Sequence, residues 1–221
     1  MEIVDDSFFT GNMFNSMQVI IKRFIDVLFS LLLLVLLMPV IFLTAILILL
    51  ESPGNPIFTQ KRVGKNGRLF TIYKIRTLYK HHFGEIQEQE EPHAYRITPI
   101  GKYLRRSKLD ELPQLLNILL GDMSFIGPRP YTQFDFDEDL RFNRVLMKPG
   151  LTGLAQISGN NYLGKSNIAW MDMWYIKNYS LLIDVKILFF TFPAIVKGEH
   201  KLSDPFNLHS KLPVKNFSGS I

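Results

Sequence analysis

The stretch that decides how this chain is organised runs from Val27 to Leu50 and reads VLFSLLLLVLLMPVIFLTAILILL. These 24 residues carry no charge, and only Ser30 and Thr44 add polar side-chain atoms. As an α-helix the stretch would extend roughly 36 Å, about the thickness of the hydrocarbon core of a bilayer. A core helix of a soluble protein is rarely apolar on every face, so the pattern favours insertion into a membrane.

The path of this helix depends on Pro39 and on the charges that flank the apolar run. Pro39 removes one backbone hydrogen bond and crowds the preceding turn, so the sequence predicts a kink there. Lys22 and Arg23 precede the run, and a second basic group follows it from Lys61 onward. A spanning helix would place one basic group outside, whereas a hairpin that enters and leaves by the cytoplasmic face keeps both inside. The residues alone leave the span and the hairpin equally open.

The composition excludes several classes of protein. The chain has 221 residues, 47% of them hydrophobic and 20% charged, which is typical of one or two folded domains rather than a disordered or fibrous chain. There is no cysteine, so disulfides, iron–sulfur clusters, cysteine-bound zinc and cysteine nucleophiles are excluded. The formal net charge of +5 favours an anionic partner, such as phosphate, nucleic acid or an anionic membrane face.

The chain divides into a lead, a membrane helix, a larger mixed region and a tail. The predicted boundaries are 1–16 for a flexible lead, 17–50 for the membrane helix, 51–200 for a cytoplasmic, membrane-docked catalytic domain and 201–221 for a C-terminal tail. Within the domain, short alternating segments at 56–60 and 69–75 predict strands, and 100–120 predicts two helical pieces. The apolar segment 185–196 is too short to span a bilayer and suits its interface. We therefore predict an α/β protein that is mostly helical, with short strands.

Two adjacent carboxylates form the first candidate for chemistry. Asp110 and Glu111 lie in the stretch Arg105–Pro113 (RRSKLDELP), beside three cations and just before a predicted helix. Pro113 suits the first turn of that helix, whose dipole, together with the nearby arginines, would favour ionised carboxylates. An ionised aspartate can act as a nucleophile, as in enzymes that form an aspartyl phosphate. The alternative is helix capping with a surface ion pair.

Two further segments could hold phosphate. Arg129 stands between Pro128 and Pro130, and the fixed φ angles on both sides orient its guanidinium at low entropic cost. Such a fork suits a phosphate or a diphosphate, although a rigid turn with an exposed arginine would look the same. The second segment, Gln60–Arg76, is basic and contains two glycines, and it includes Lys74 and Arg76. It does not fit a P-loop, and it suits lipid headgroups or a phosphorylated substrate better than nucleic acid.

Taken together, these segments resemble the bacterial sugar transferases, the monotopic phosphoglycosyl transferases in their minimal catalytic form. The resemblance covers roughly residues 20–198, and the order and spacing of its pieces make it specific. The matching stretches are Lys22–Asp26, Ser52–Gly64, Lys74–Thr77, Arg96–Thr98, Gly101, Leu109–Gln114, Gly121–Ser124, Gly127–Pro130, Pro149–Gly153 and Asp184.

The resemblance implies a reaction and a topology. It implies transfer of a sugar 1-phosphate from a UDP-sugar to undecaprenyl phosphate with release of UMP, through a covalent phosphosugar on Asp110. Glu111 would assist, and Mg²⁺ would bind at Asp110 and shield the diphosphate. The helix would be re-entrant and broken at Pro39. The substrate-binding residues would be Arg105, Arg129, Pro128, Pro130, Lys74 and Arg76.

The implied setting is the cytoplasmic face of a bacterial inner membrane, at the first membrane step of a surface glycan such as capsule, exopolysaccharide or lipopolysaccharide. The partners would be the UDP-sugar, the polyprenyl phosphate and membrane lipid, without nucleic acid, and self-association is left open. Met38 and Asn160 depart from the family pattern, which often has serine and arginine there. The alternatives are a non-catalytic membrane-anchored scaffold of a polysaccharide-assembly complex and a single-pass enzyme with the same chemistry.

Overall fold

The computed structural model describes residues 16–79, 97–132, 144–159, 163–197 and 204–213. The helices are α1 (Ser16–Glu51), α2 (Pro99–Ser107), α3 (Gln114–Leu120), α4 (Leu154–Ile157), α5 (Lys165–Lys177) and α6 (Leu181–Lys197). The strands are β1 (Ile57–Val63), β2 (Leu69–Ile75), β3 (Ser124–Ile126), β4 (Tyr131–Thr132) and β5 (Gly150–Thr152). The described residues are mostly helical with a few short strands, as predicted. The lead before residue 16, Asn160 and the last eight residues of the predicted tail lie outside the described residues.

The apolar run lies entirely within α1, which continues through Pro39. The break at Pro39 that the resemblance implies does not interrupt the helix, and a proline by itself removes only one backbone hydrogen bond. The Thr44 hydroxyl donates within the same helix, 2.9 Å from the carbonyl oxygens of Val40 and Ile41. Among the described residues, α1 is the one helix long and apolar enough to cross a membrane. The re-entrant path stays a prediction.

One face of α1 packs against the rest of the protein along most of the length of the helix. Near its start, the Arg23 guanidinium donates to the carbonyl oxygens of Ile118 and Leu119 at the end of α3, at 2.7 and 2.9 Å. In its middle, Leu33, Leu34 and Leu37 pack against a cluster formed by β2, α3 and Met123, whose buried members are Phe70, Ile72, Leu115, Ile118 and Met123. Near its end, Ile48 is fully buried in a cluster with residues of β2 and α2.

The opposite face of α1 is apolar and exposed. Leu36, Phe42 and Leu50 keep 66%, 67% and 81% of their surface accessible. Side chains of this kind suit lipid better than water, so this face is available to a membrane while the other holds the domain.

Two small sheets hold the loops of the domain. β1 pairs antiparallel with β2 along its whole length and with β4 at its end, while β3 and β5 form a separate parallel pair. The hairpin between β1 and β2 turns at Asn66 and Gly67, which both have positive φ. The buried Asn117 side chain joins α3 to β2, because it donates to the carbonyl oxygen of Thr71 and accepts from the backbone N–H of Tyr73.

The largest core cluster lies around α4, α5 and α6, and it includes part of the predicted tail. Leu208 and Leu212 are 2% and 5% exposed within this cluster. The Asp204 carboxylate accepts from the backbone N–H groups of Leu208 and His209, which closes the turn that carries them. Residues 204–213 therefore pack as part of the folded domain.

Candidate active site

The turn between α2 and α3 positions the two carboxylates. α2 begins with a capped turn, in which the Thr98 hydroxyl accepts from the backbone N–H of Gly101, and it ends at Lys108 in the left-handed region with φ of 58°. Asp110 and Glu111 follow in a single 3₁₀ turn, immediately before Pro113 and α3. The structure thus places both carboxylates just ahead of a helix that begins after Pro113, as the sequence predicts.

Asp110 is buried and incompletely partnered. Its residue surface is 7% exposed, and its Oδ1 atom has no hydrogen-bond partner among the described residues. Burial and the adjacent Glu111 charge raise the pKa of Asp110 to about 6, while Lys74, Lys108 and Arg105 act in the opposite direction. Most of the carboxyl is therefore ionised at neutral pH, although burial has removed it from the water that would solvate its charge.

Glu111 has a different environment from its neighbour. The Lys74 ammonium donates to Glu111 Oε1 at 2.8 Å, which joins β2 to the turn. Burial acts to raise the pKa of Glu111, but Lys74, Lys108 and Arg129 outweigh it and hold that pKa below its ordinary value. The two carboxyls thus have pKa values that are pushed apart, which is typical of paired groups with separate roles.

Close backbone packing against β5 holds the loop that carries Arg129. Gly127 donates its N–H to Thr152, and Gly150 donates to Pro128, so the loop with Arg129 lies directly on β5. A Cβ atom on Gly150 would lie 2.1 Å from the Gly127 nitrogen, so no larger residue fits there. Arg129 itself is exposed. Its charge lowers the pKa of Glu111, so the guanidinium lies within electrostatic range of that carboxylate.

The remaining predicted residues divide into two groups. The Arg105 Nε donates to the Thr77 hydroxyl at 2.7 Å, and the exposed Arg105 side chain is one of the cations that act on Asp110. Arg76 is buried and donates to the carbonyl oxygens of Ser52 and Pro53, so it closes the turn that follows α1.

The two prolines beside Arg129 differ in exposure. Pro128 is buried and Pro130 is half-buried. The structure therefore brings together Asp110, Glu111, Lys74, Arg105 and Arg129, and it places the Arg76 guanidinium in the turn after α1.

Sequence reasoning missed two features of the site. It assigned Lys74 to substrate, whereas the ammonium also forms an ion pair with Glu111, 37 positions away along the chain. It gave Lys108 no role, although the charge of this residue lowers the pKa of both carboxyls. The proximity of Lys108 to Asp110 was a signal for the second feature, and no local pattern marks the first.

Comparisons with known proteins give one consistent result. A family model described as bacterial sugar transferase matches residues 17–198. A UDP-N-acetylgalactosamine-undecaprenyl-phosphate N-acetylgalactosaminephosphotransferase of Aeromonas hydrophila is 39% identical over 187 residues, which cover 80% of this chain and 44% of the relative. A UDP-glucose:undecaprenyl-phosphate glucose-1-phosphate transferase of Caulobacter vibrioides is 41% identical over 190 residues, covering 81% and 71%. The exopolysaccharide production protein ExoY of Sinorhizobium fredii is 38% identical over 192 residues, covering 79% and 84%. This chain thus spans less than half of the Aeromonas protein and most of the other two.

Proposed function

This chain belongs to the bacterial sugar transferase family, and we propose that it transfers a sugar 1-phosphate from a UDP-sugar to undecaprenyl phosphate, with release of UMP. The observation that carries the proposal is Asp110, a buried carboxylate whose Oδ1 has no partner among the described residues and which is surrounded by cations. Two relatives are named for transfers between a UDP-sugar and undecaprenyl phosphate, which supports the same donor and acceptor classes here.

In the first step, a carboxylate oxygen of Asp110 attacks the phosphorus that bears the sugar. A new P–O bond forms to Asp110, the bond between the two phosphates breaks, and UMP leaves with the bonding electrons. The ionised Asp110 is the reactive form, and its removal from water leaves it poorly solvated, which favours attack. Arg129 and Arg105 offset the negative charge that donor and nucleophile bring together.

In the second step, an oxygen of undecaprenyl phosphate attacks the same phosphorus and Asp110 leaves as a carboxylate. The product is an undecaprenyl diphosphate sugar, so the reaction exchanges one phosphate linkage for another without redox chemistry. Glu111 remains ionised because of Lys74 and Arg129. It is suited to accept a proton from an acceptor phosphate that arrives singly protonated, and Lys74 holds it in place.

The site fits a magnesium ion held partly by substrate. Asp110 offers an unpartnered carboxylate oxygen, and the described residues contain no group of three or more acidic or histidine side chains suited to a metal. Magnesium commonly binds one or two carboxylates together with substrate phosphates, so Asp110 with a diphosphate is a sufficient set of ligands. When bound, the ion would neutralise charge on the diphosphate.

The packing of α1 supports a helix that enters and leaves the membrane on one side. Leu109, next to Asp110, belongs to the same cluster as Ala45 and Ile48 of α1. Had α1 stood across the bilayer, that contact would bring Asp110 to the depth of the apolar run, away from a water-soluble donor. Arg23 and its partners at the start of the helix likewise need an aqueous or interfacial depth. We therefore propose that α1 stays one helix but bends at Pro39, so that both of its ends and the domain lie on the cytoplasmic face of a bacterial inner membrane.

The topology has a direct test because the chain contains no cysteine. Ser16→Cys introduces one thiol at the start of α1, and Asn66→Cys introduces one in the β1–β2 turn as a reference for the domain. In whole cells, a membrane-impermeant maleimide should label neither thiol until the membrane is opened. Labelling of Ser16→Cys alone in intact cells would contradict the re-entrant path and indicate a single span.

Intact mass tests the chemistry. Purified full-length protein is incubated with Mg²⁺ and a panel of UDP-sugars, without lipid acceptor. We expect an adduct equal to one phosphosugar, absent from Asp110→Asn and retained in Asp122→Asn, which removes a carboxylate outside the site. If folded protein gives no adduct with any donor, and releases no UMP when undecaprenyl phosphate is added, the non-catalytic scaffold becomes the better explanation.

A further inference from the structure

A buried ion pair lies behind the loop that carries Arg129, and the proposed mechanism does not use it. We propose that Asp172 and Arg144 are positioning residues, which hold the Arg129 loop in the orientation that binds the diphosphate of the donor. This inference rests on the proposed function, because Arg129 is taken there as a diphosphate ligand. Neither residue is proposed to contact the reacting atoms.

The ion pair is almost completely removed from solvent. The Arg144 guanidinium donates to Asp172 Oδ2, and the two side chains keep only 10% and 1% of their surface exposed. The guanidinium also lies over the ring of Tyr131, 3.6 Å from its centroid. Tyr131 belongs to β4, which follows Arg129 by one residue, so the stack connects the ion pair directly to the Arg129 loop.

Arg129 is close to the ion pair and within electrostatic range of Glu111. It lines one cleft together with Tyr131, Arg144 and Gly64. A hydrogen bond from the Arg129 backbone N–H and the charge of Arg129 both lower the pKa of Asp172. The same charge lowers the pKa of Glu111. Movement of Asp172 or Arg144 would therefore change the position of Arg129 relative to the site.

The energetics favour a positioning role over a purely stabilising one. Removing two charges from water costs free energy, and well-packed apolar residues of similar volume often give equal or better stability. Arg144 and Asp172 also leave one polar atom each, Nε and Oδ1, without a hydrogen-bond partner among the described residues. What an ion pair adds is direction, since a planar guanidinium between a carboxylate and an aromatic ring has a defined orientation. That property suits a group that must fix a neighbouring loop.

A double-mutant cycle on UDP binding tests this inference without requiring turnover. The dissociation constant of UDP with Mg²⁺ is measured by calorimetry for full-length protein in lipid nanodiscs. Asp172→Asn should weaken UDP binding about tenfold when Arg129 is present, and less than about twofold in the Arg129→Ala background. In turnover assays, the same variant should raise KM for the UDP-sugar more than it lowers kcat.

Two further variants keep the test decisive. If Asp172→Asn does not fold, Arg144→Lys keeps the charge but loses the planar stack on Tyr131, and it should show the same dependence on Arg129. Asp184→Asn removes a buried carboxylate from the neighbouring helix α6, and it should leave UDP affinity within about twofold. An equal loss with and without Arg129, or a similar loss in Asp184→Asn, would overturn the positioning role. Wild-type protein that neither binds UDP nor forms the adduct would instead overturn the proposed function itself.

Discussion

Two buried aspartates, one beside each end of α1, differ in whether both carboxylate oxygens have hydrogen-bond partners. Near the start of the helix, Asp184 Oδ2 accepts from the Lys22 ammonium and Oδ1 accepts from the Tyr175 hydroxyl, both at 2.6 Å. Near the end of the helix, Asp110 is equally buried, but its Oδ1 has no partner among the described residues.

The difference distinguishes a structural carboxylate from a reactive one. A buried polar atom without a partner costs free energy, so folded proteins rarely keep one except where it has a use. Asp184 joins α1 to α6 and has both oxygens satisfied. Asp110 keeps an oxygen available, and the cost of that atom is consistent with its use as a nucleophile.

Replacement of the incompletely partnered carboxylate should have the largest effect on chemistry. Asp110→Asn removes the nucleophile and should reduce formation of the phosphosugar adduct by at least about a thousandfold. Its melting temperature should stay equal to that of wild type or rise, because a poorly solvated charge is removed. Adduct formation by mass spectrometry and thermal unfolding in detergent give the two values. A folded Asp110→Asn protein that still forms the adduct would assign the nucleophile elsewhere.

Loss of the ion pair within the site should have a smaller effect. Lys74→Met leaves Glu111 without its 2.8 Å partner, so the pKa of Glu111 should rise and its position should become less defined. We expect the overall transfer rate to fall by roughly ten- to a hundredfold. UMP release in the presence of undecaprenyl phosphate measures that rate. Lys61→Met, on the neighbouring strand β1 and exposed, is the matched control. Equal rates in the two variants would show that Lys74 has no role in the site.

Replacement of the fully partnered carboxylate should change stability rather than chemistry. Asp184→Asn leaves the buried Lys22 ammonium without its charged partner, and the unfolding free energy should fall by about 1–3 kcal/mol. The adduct rate per folded molecule should change by no more than a few-fold. Urea unfolding and adduct formation on the same preparation measure both quantities. A thousandfold loss of adduct in a stable Asp184→Asn protein would remove the distinction between the two aspartates.

The sequence predicted most of this arrangement where the determining features are local. The apolar run, the strand at 69–75 and the turn around Asp110 follow from short-range patterns of hydrophobicity, proline and charge. The strand predicted at 56–60 corresponds to β1, which continues to Val63. The continuity of α1 through Pro39 was not predicted, since a proline alone does not decide between a helix that continues and one that ends.

Contacts between distant residues could not be predicted in this way. Lys22 meets Asp184 across 162 positions, and Lys74 meets Glu111 across 37. Arg76 illustrates the same limit, because its basic neighbours indicated a substrate contact while its guanidinium closes the turn after α1. Charge and spacing identify which side chains could bind phosphate, and only the packing of β2 against α1 and α3 determines which are already occupied.

Asp172 is intermediate between Asp184 and Asp110, because one of its oxygens is paired with Arg144 and the other has no partner among the described residues. Burial raises its pKa to about 6 from an ordinary 3.8, against the opposing effects of Arg144 and Arg129. A carboxyl whose pKa is raised by folding contributes stability below its unfolded pKa, and this contribution is lost as pH rises through the folded pKa. Wild-type protein should therefore lose stability relative to Asp172→Asn between about pH 4 and pH 6, by at most about 1.4 kcal/mol per pH unit. Urea unfolding of both proteins across this range measures the difference. Parallel curves would mean that the charges of Arg144 and Arg129 offset the effect of burial on the pKa of Asp172 completely.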